Sequence, residues 1–149
     1  MGDGKAWLFA AGGLSSAAAL LHLACIVGGP KWYRALGAGE QFASAAARGA
    51  RFPAIITLSI AVIIGMWAVY AFSAAGILPA LPFRRTILVL ISLALTGRGL
   101  AILVPDMWRA DLSYAFKVWS SVAVLSLAAC FAVGTFLAWP NLSLKDSVL

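Results

Sequence analysis

Arg98 and His22 are the two residues of this chain whose chemistry, given where they fall, calls for a partner. Arg98 stands late in an apolar run, between Gly97 and Gly99, and no carboxylate lies within any apolar run. A guanidinium can grip a carboxylate or phosphate through two parallel N–H···O bonds. Unmatched near mid-membrane, it costs about 2.5–3.5 kcal/mol on insertion scales, so such a residue is expected to face a bundle interior or a wet cavity. His22 is the one histidine in the chain; it can donate or accept a hydrogen bond, or carry a proton near neutral pH. A single histidine excludes a bis-histidine haem or a multi-histidine metal site within one subunit. Cys25 and Cys130 lack metal-ligand spacing and read as packing residues. No metal and no other cofactor is therefore expected.

Each of the two residues falls about six positions before the end of its apolar run, which at ~1.5 Å per residue sets both roughly 9 Å beneath one membrane face. The loops of that face carry Glu40, Gln41, Asp106, Trp108, Arg109, Asp111, Tyr114 and Lys117. The expected site follows. His22 and Glu40 are the candidates for general acid and base, because partial burial can tune both. Arg98 holds an anionic group, and Gln41, Asp106, Trp108, Arg109 and Tyr114 supply further ligand contacts. A structural reading stands beside this one: Arg98 snorkels to Asp106 or to a headgroup phosphate, and His22 bonds a neighbouring carbonyl.

The elements that must position these residues are membrane helices. Of 149 residues 63% are apolar and 11% charged, against roughly half and about a quarter in soluble domains. Four charge-poor stretches, 7–27, 52–77, 86–104 and 118–139, are each long enough to cross a hydrocarbon core of about 30 Å. The expected fold class is all-α: a polytopic membrane protein whose single domain is a bundle of four transmembrane helices. The first stretch is too long for a cleaved signal sequence. Gly28, Gly29 and Pro30 stop it, Pro53 opens the second, and Pro79 and Pro82 punctuate the turn before Arg84. Trp7, Trp32, Trp119 and Trp139 fall where an interfacial belt belongs. The first loop is long enough for an interfacial helix over 40–48. The net charge of +6 comes from cations that flank the spans, so headgroup anchoring is expected and nucleic-acid binding is not. Loops 1 and 3 carry more Lys and Arg than the opposite face, yet Arg84 and Arg85 form the tightest cationic pair. That pair leads us to expect both termini in the cytoplasm.

His22 with Gly28-Gly29-Pro30, Trp32-Tyr33-Arg34, Leu36-Gly37-Ala38-Gly39-Glu40, and the later Arg98-Gly99-Leu100 together resemble a group of bacterial four-helix inner-membrane proteins. The resemblance covers about residues 22–104. It implies a bacterial inner membrane and a topology, and no activity.

Three functions fit the residues. The first is a membrane-embedded binding or catalytic site for an amphiphilic or anionic lipid-like small molecule, open at the face of loops 1 and 3. Whether it would be an enzyme is left open by the sequence. The second is a non-enzymatic assembly subunit, since Gly12, Gly13, Ser15, Ser16 and 17–19 offer a small-residue surface for close packing within the protein or in a homo-oligomer. The third is a small oligomeric transporter. The expected partners are membrane lipids, an amphiphilic ligand and further copies of the chain.

Overall fold

A computed structural model describes residues 2–108 and 110–146. Among these the structure is all-helical, and four helices are long and apolar enough to span a membrane. The protein is an integral membrane four-helix bundle. In chain order the helices are α1 (Asp3–Ala35), α2 (Glu40–Ala47), α3 (Phe52–Ala75), α4 (Arg84–Leu100) and α5 (Tyr114–Asp146); two short 3-10 turns, Ala101–Leu103 and Pro105–Met107, follow α4. α1, α3, α4 and α5 are the spans, and α2 belongs to loop 1.

Local sequence explains the breaks. α1 is interrupted at Gly29, whose φ of 63° and ψ of −147° are non-helical, a conformation suited to a residue without Cβ. Pro30 then opens a short helical extension to Ala35, because a first-turn proline loses no hydrogen bond. Thus the apolar run stops where Gly28-Gly29-Pro30 stops it, but helix resumes in a new direction. α3 ends on Gly76 in the left-handed region (φ 84°), with the Ile77 amide donating back to the Phe72 carbonyl at 2.9 Å. Ser73 pins the loop that follows: its hydroxyl donates to the Pro79 carbonyl at 2.6 Å and accepts from the Leu81 amide at 3.1 Å.

The spans pack as a ring. α1 lies between α3 and α5, α4 lies against α5, α3 and α4 approach only sparsely, and the backbones of α1 and α4 nowhere come within 8 Å. α1 and α5 approach each other backbone to backbone. A Cβ on Gly4 would sit 2.6 Å from the Ala138 amide nitrogen, and one on Gly134 would sit 3.0 Å from that of Leu8. Bilayer lipid offers no hydrophobic drive for helices to associate, so such backbone approach, with its dense van der Waals contact, is what joins them.

Leu8, Leu88, Phe131 and Leu142 are fully buried and fill the half of the bundle nearest the termini. Towards loops 1 and 3 the buried positions are small or mildly polar: Ser15, Ala19, Cys25, Thr57, Ala61, Gly99 and Ser121. A second small cluster caps that end, with Cys25, Tyr33 and Ala43 buried together. Loop 1 is seated on α5 through Gly37, at φ 75°, where a Cβ would strike the Phe116 ring.

Gly97 and Gly99 flank Arg98 but differ in surroundings. A Cβ on Gly99 would fall 2.5 Å from the Leu125 side chain of α5, whereas one on Gly97 meets nothing within 4 Å. Gly99→Val is therefore expected to destabilise the bundle by about 1–3 kcal/mol through overpacking. Gly97→Val is expected to be neutral or slightly stabilising, since glycine is itself a poor helix former. Denaturant unfolding followed by circular dichroism in mild detergent measures both; equal losses would contradict the packing described.

Candidate functional site

Arg98 is exposed, near the end of α4, and its guanidinium carbon lies 4.3 Å from the centroid of the Trp108 ring. Trp108 is itself fixed: its indole N–H donates to the Ala101 carbonyl at 2.8 Å. The same carbonyl also accepts from the Val104 amide at 3.0 Å, and the indole bond folds loop 3 down onto α4. Among the described residues neither Arg98 nor Asp106 forms an ion pair, and Asp106 is exposed on the second 3-10 turn. The cation thus rests on an aromatic face with its planar fork of donors available.

Its direction follows from Gly99. Successive helix residues are about 100° apart; since Gly99 faces α5, Arg98 is turned to the side of α4 that Ile87 and Ile91 share. The other neighbour of α4 in the ring is α3, which it scarcely meets. Arg98 is thus turned away from α5, on a helix that meets α3 only sparsely.

His22 belongs to another part of the bundle. It continues the buried stripe of α1 formed by Leu8, Ala11, Ser15 and Ala19, yet is itself only half-buried. Its Nδ1 lies 2.7 Å from the Ala18 carbonyl oxygen. A carbonyl only accepts, so Nδ1 carries the proton and, in the neutral ring, Nε2 is left as an acceptor.

Carrying the Gly4–Ala138 and Leu8–Gly134 register along the helices sets His22 level with about Ser120 and Ser121. The Gly99–Leu125 contact sets Arg98 level with about Ser126. Arg98 is then about five residues, roughly 8 Å, deeper than His22. The equal depth expected by counting from helix ends does not hold, because α4 stops at Leu100 and loop 3 folds back over it. His22 and Arg98 also stand on helices whose backbones nowhere come within 8 Å.

Around His22 the hydroxyls behave unusually. Ser16, Ser59, Ser92, Thr96 and Ser126 all donate to their own i−4 carbonyls, the usual solution in an apolar solvent. Ser15, Ser121 and Tyr33 are buried with hydroxyl oxygens that have no hydrogen-bond partner among the described residues. The interior beneath loop 1 is thus polar as well as small.

The remaining expected residues divide between the loops. Glu40 is held by Arg34 through two bonds, from Nε at 2.9 Å and from a terminal nitrogen at 2.7 Å. The backbone amide of Gln41 donates to the Asp111 carboxylate at 3.3 Å, so loop 3 supplies an anion to the positive end of α2. Tyr114 is 78% exposed. Arg109 lies outside the described residues. The structure therefore brings Arg98 to Trp108, and Glu40 and Gln41 to the Arg34–Asp111 neighbourhood, while His22 is apart from both. The roles of Arg34 and Asp111 were not read from sequence; the signal available was an opposite-charge pair on either side of Leu36-Gly37-Ala38-Gly39. No group of three or more potential metal ligands is found among the described residues.

These features describe a four-helix membrane protein with a span arginine that forms no ion pair among the described residues. No family model, no curated protein and no solved structure matches the chain, so the site is read from its own geometry.

The Arg34 guanidinium holds the Glu40 carboxyl below the ordinary carboxylate range, chiefly by hydrogen bonding, with burial and the Asp111 charge opposing. A folded value below the unfolded one, about 4.3, means that the pair's contribution is complete above that pH and is lost as pH falls through the depressed folded value. Melting temperature measured against pH should show wild type and Glu40→Gln separated near neutrality and converging in acid. A constant separation would show that the pair does not titrate in this way.

Proposed function

We propose that this protein binds an anionic amphiphile from within the bilayer, with the charged group on Arg98 beneath loop 3 and the apolar part in the opening between α3 and α4. The observation that carries the reading is an exposed span arginine supported only by the Trp108 face. A cation–π contact contributes about 0.5–2 kcal/mol, less than the insertion cost of about 2.5–3.5 kcal/mol for such a residue. An anion that accepts from the guanidinium fork offsets the difference. Gly97, open on the same turn, leaves room beside it.

The reading is one of binding rather than acid–base chemistry. Glu40 is engaged by Arg34, and His22 is on a helix whose backbone nowhere comes within 8 Å of that of α4. A second reading, assembly with further copies or with a larger complex, is favoured by Gly13, Gly65 and Gly97, around which a Cβ meets nothing within 4 Å. Interior helix glycine costs about 1 kcal/mol relative to alanine, and open glycines on spans suit close approach by another helix.

Native mass spectrometry from mild detergent tests both readings, since it reports retained small molecules and oligomeric state together. Arg98→Gln is expected to reduce the retained anionic amphiphile at least about tenfold, the scale of one charge-assisted hydrogen bond. Asp106→Asn should leave it unchanged. Retention by a folded Arg98→Gln protein would refute the binding reading, and an oligomer lost on Gly97→Val would support the second.

We place the protein in a bacterial inner membrane with its termini and loop 2 in the cytoplasm. The Arg84–Arg85 pair in a short loop supports this, and Glu40 neutralises one of the competing cations of loop 1. With Cys25 and Cys130 replaced by alanine, a membrane-impermeant maleimide should label Ala50→Cys in intact spheroplasts and Ala80→Cys only after lysis. The reverse pattern would invert the assignment.

A further inference from the structure

On the outer surface between α1 and α3, near the loop 1 end, lies a groove of ≈ 300 Å³ lined by Leu23, Ile26, Val27, Ala54, Ile55 and Leu58. Every lining side chain is apolar. The groove sits just before α1 breaks at Gly29, and the short side chain of Ala54 deepens it on the other wall; Val27, on its rim, is 90% exposed.

The groove ends among cations. Arg51 precedes α3 and occupies the same helical stripe as Ile55 and Leu58, at i, i+4 and i+7. Lys31 comes four residues after Val27, just past the break at Gly29, and Arg48 closes α2. All three are exposed, and none makes a side-chain hydrogen bond or an ion pair among the described residues, whereas Arg34 is neutralised by Glu40. An apolar slot of acyl-chain character therefore opens, at headgroup depth, onto positive charge that the protein itself does not balance.

We infer that this groove is a binding site for an anionic phospholipid, one acyl chain lying against Leu23, Val27, Ile55 and Leu58 and the phosphate held by Arg51 with Lys31 beside it. The apolar lining accepts a chain of any lipid, so preference comes from charge. A cation near an anionic headgroup adds about fivefold in affinity. The site is separate from Arg98, which belongs to a helix whose backbone nowhere comes within 8 Å of that of α1.

The test is titration of the purified protein with phosphatidylglycerol or phosphatidylcholine in mixed micelles, with melting temperature as the readout. Phosphatidylglycerol is expected to raise the melting temperature of the Arg98→Gln protein at lower concentration than phosphatidylcholine does. Arg51→Gln with Lys31→Gln should weaken the phosphatidylglycerol effect at least about twentyfold, and Ala54→Phe, which fills the groove without touching charge, should abolish it. All titrations are made in the Arg98→Gln background, so that the anion site proposed beneath loop 3 does not contribute. Equal stabilisation by the two lipids would overturn the inference. So would an effect that survives Ala54→Phe, because the lipid would then be bound elsewhere.

Discussion

Lipid tails are as apolar as leucine, so burying a leucine between two membrane helices gains little that the bilayer does not already supply. What remains is contact density: α1 packs most extensively on α3 and α4 on α5, and the two pairs are joined where α1 and α5 meet backbone to backbone at Gly4 and Gly134. α3 joins the bundle through α1, and α4 joins through α5. The outer pair, α3 and α4, is connected by a short turn but hardly packed. The bundle is accordingly two well-packed pairs, α1–α3 and α4–α5, joined through α1 and α5, and its weak side lies between α3 and α4.

The same distribution polarises the interior. Where Leu8, Leu88 and Phe131 interdigitate the interior is mainly apolar, although Arg84 and Thr135 are buried at that end as well. Towards loops 1 and 3 the interior side chains shrink, and small hydroxyls replace branched apolar residues. Two long loops then close that end: Arg34 pairs with Glu40 across the glycine-rich turn of loop 1, Asp111 of loop 3 reaches the start of α2, and Gly37 lies against Phe116 of α5. Exposed ion pairs and single loop hydrogen bonds are individually weak. Fixing a cap by several such contacts, instead of by a packed core, leaves it more easily opened than the opposite end.

Much of this was legible in the residues and some was not, for physical reasons. The four spans follow from charge-poor runs, and the break in α1 follows from Gly28-Gly29-Pro30. The loop helix starts at Glu40 as its composition suggests. The continuation of α1 to Ala35 was not legible, because a Gly-Pro break stops an apolar run without forbidding a new helical turn. Nor was that of α5 past Pro140 to Asp146. The small residues early in α1 show how a composition signal under-determines packing: Gly12 receives the ring of Phe72 from α3, while its neighbour Gly13 is open. Relative depth failed for a similar reason. Positions counted from helix ends are comparable only if the ends are level, and the folding of loop 3 through Trp108 makes them unequal.

The position of Arg98 is best understood from its alternatives. A guanidinium at this depth could be matched by a carboxylate on a facing helix, but the spans contain none, and Asp106, the nearest acid in sequence, is turned to solvent. It could be removed to the interface by the length of its stem, as snorkelling residues are. Instead Trp108 comes down to meet it, held by the Ala101 carbonyl, so the cation is kept near the membrane and its donors are kept free. An aromatic face attracts a cation without consuming a single N–H, which separates it from a carboxylate partner in the one respect that matters for binding. It stabilises the arginine enough to be tolerated in the span and leaves its hydrogen-bonding capacity for something that arrives from outside.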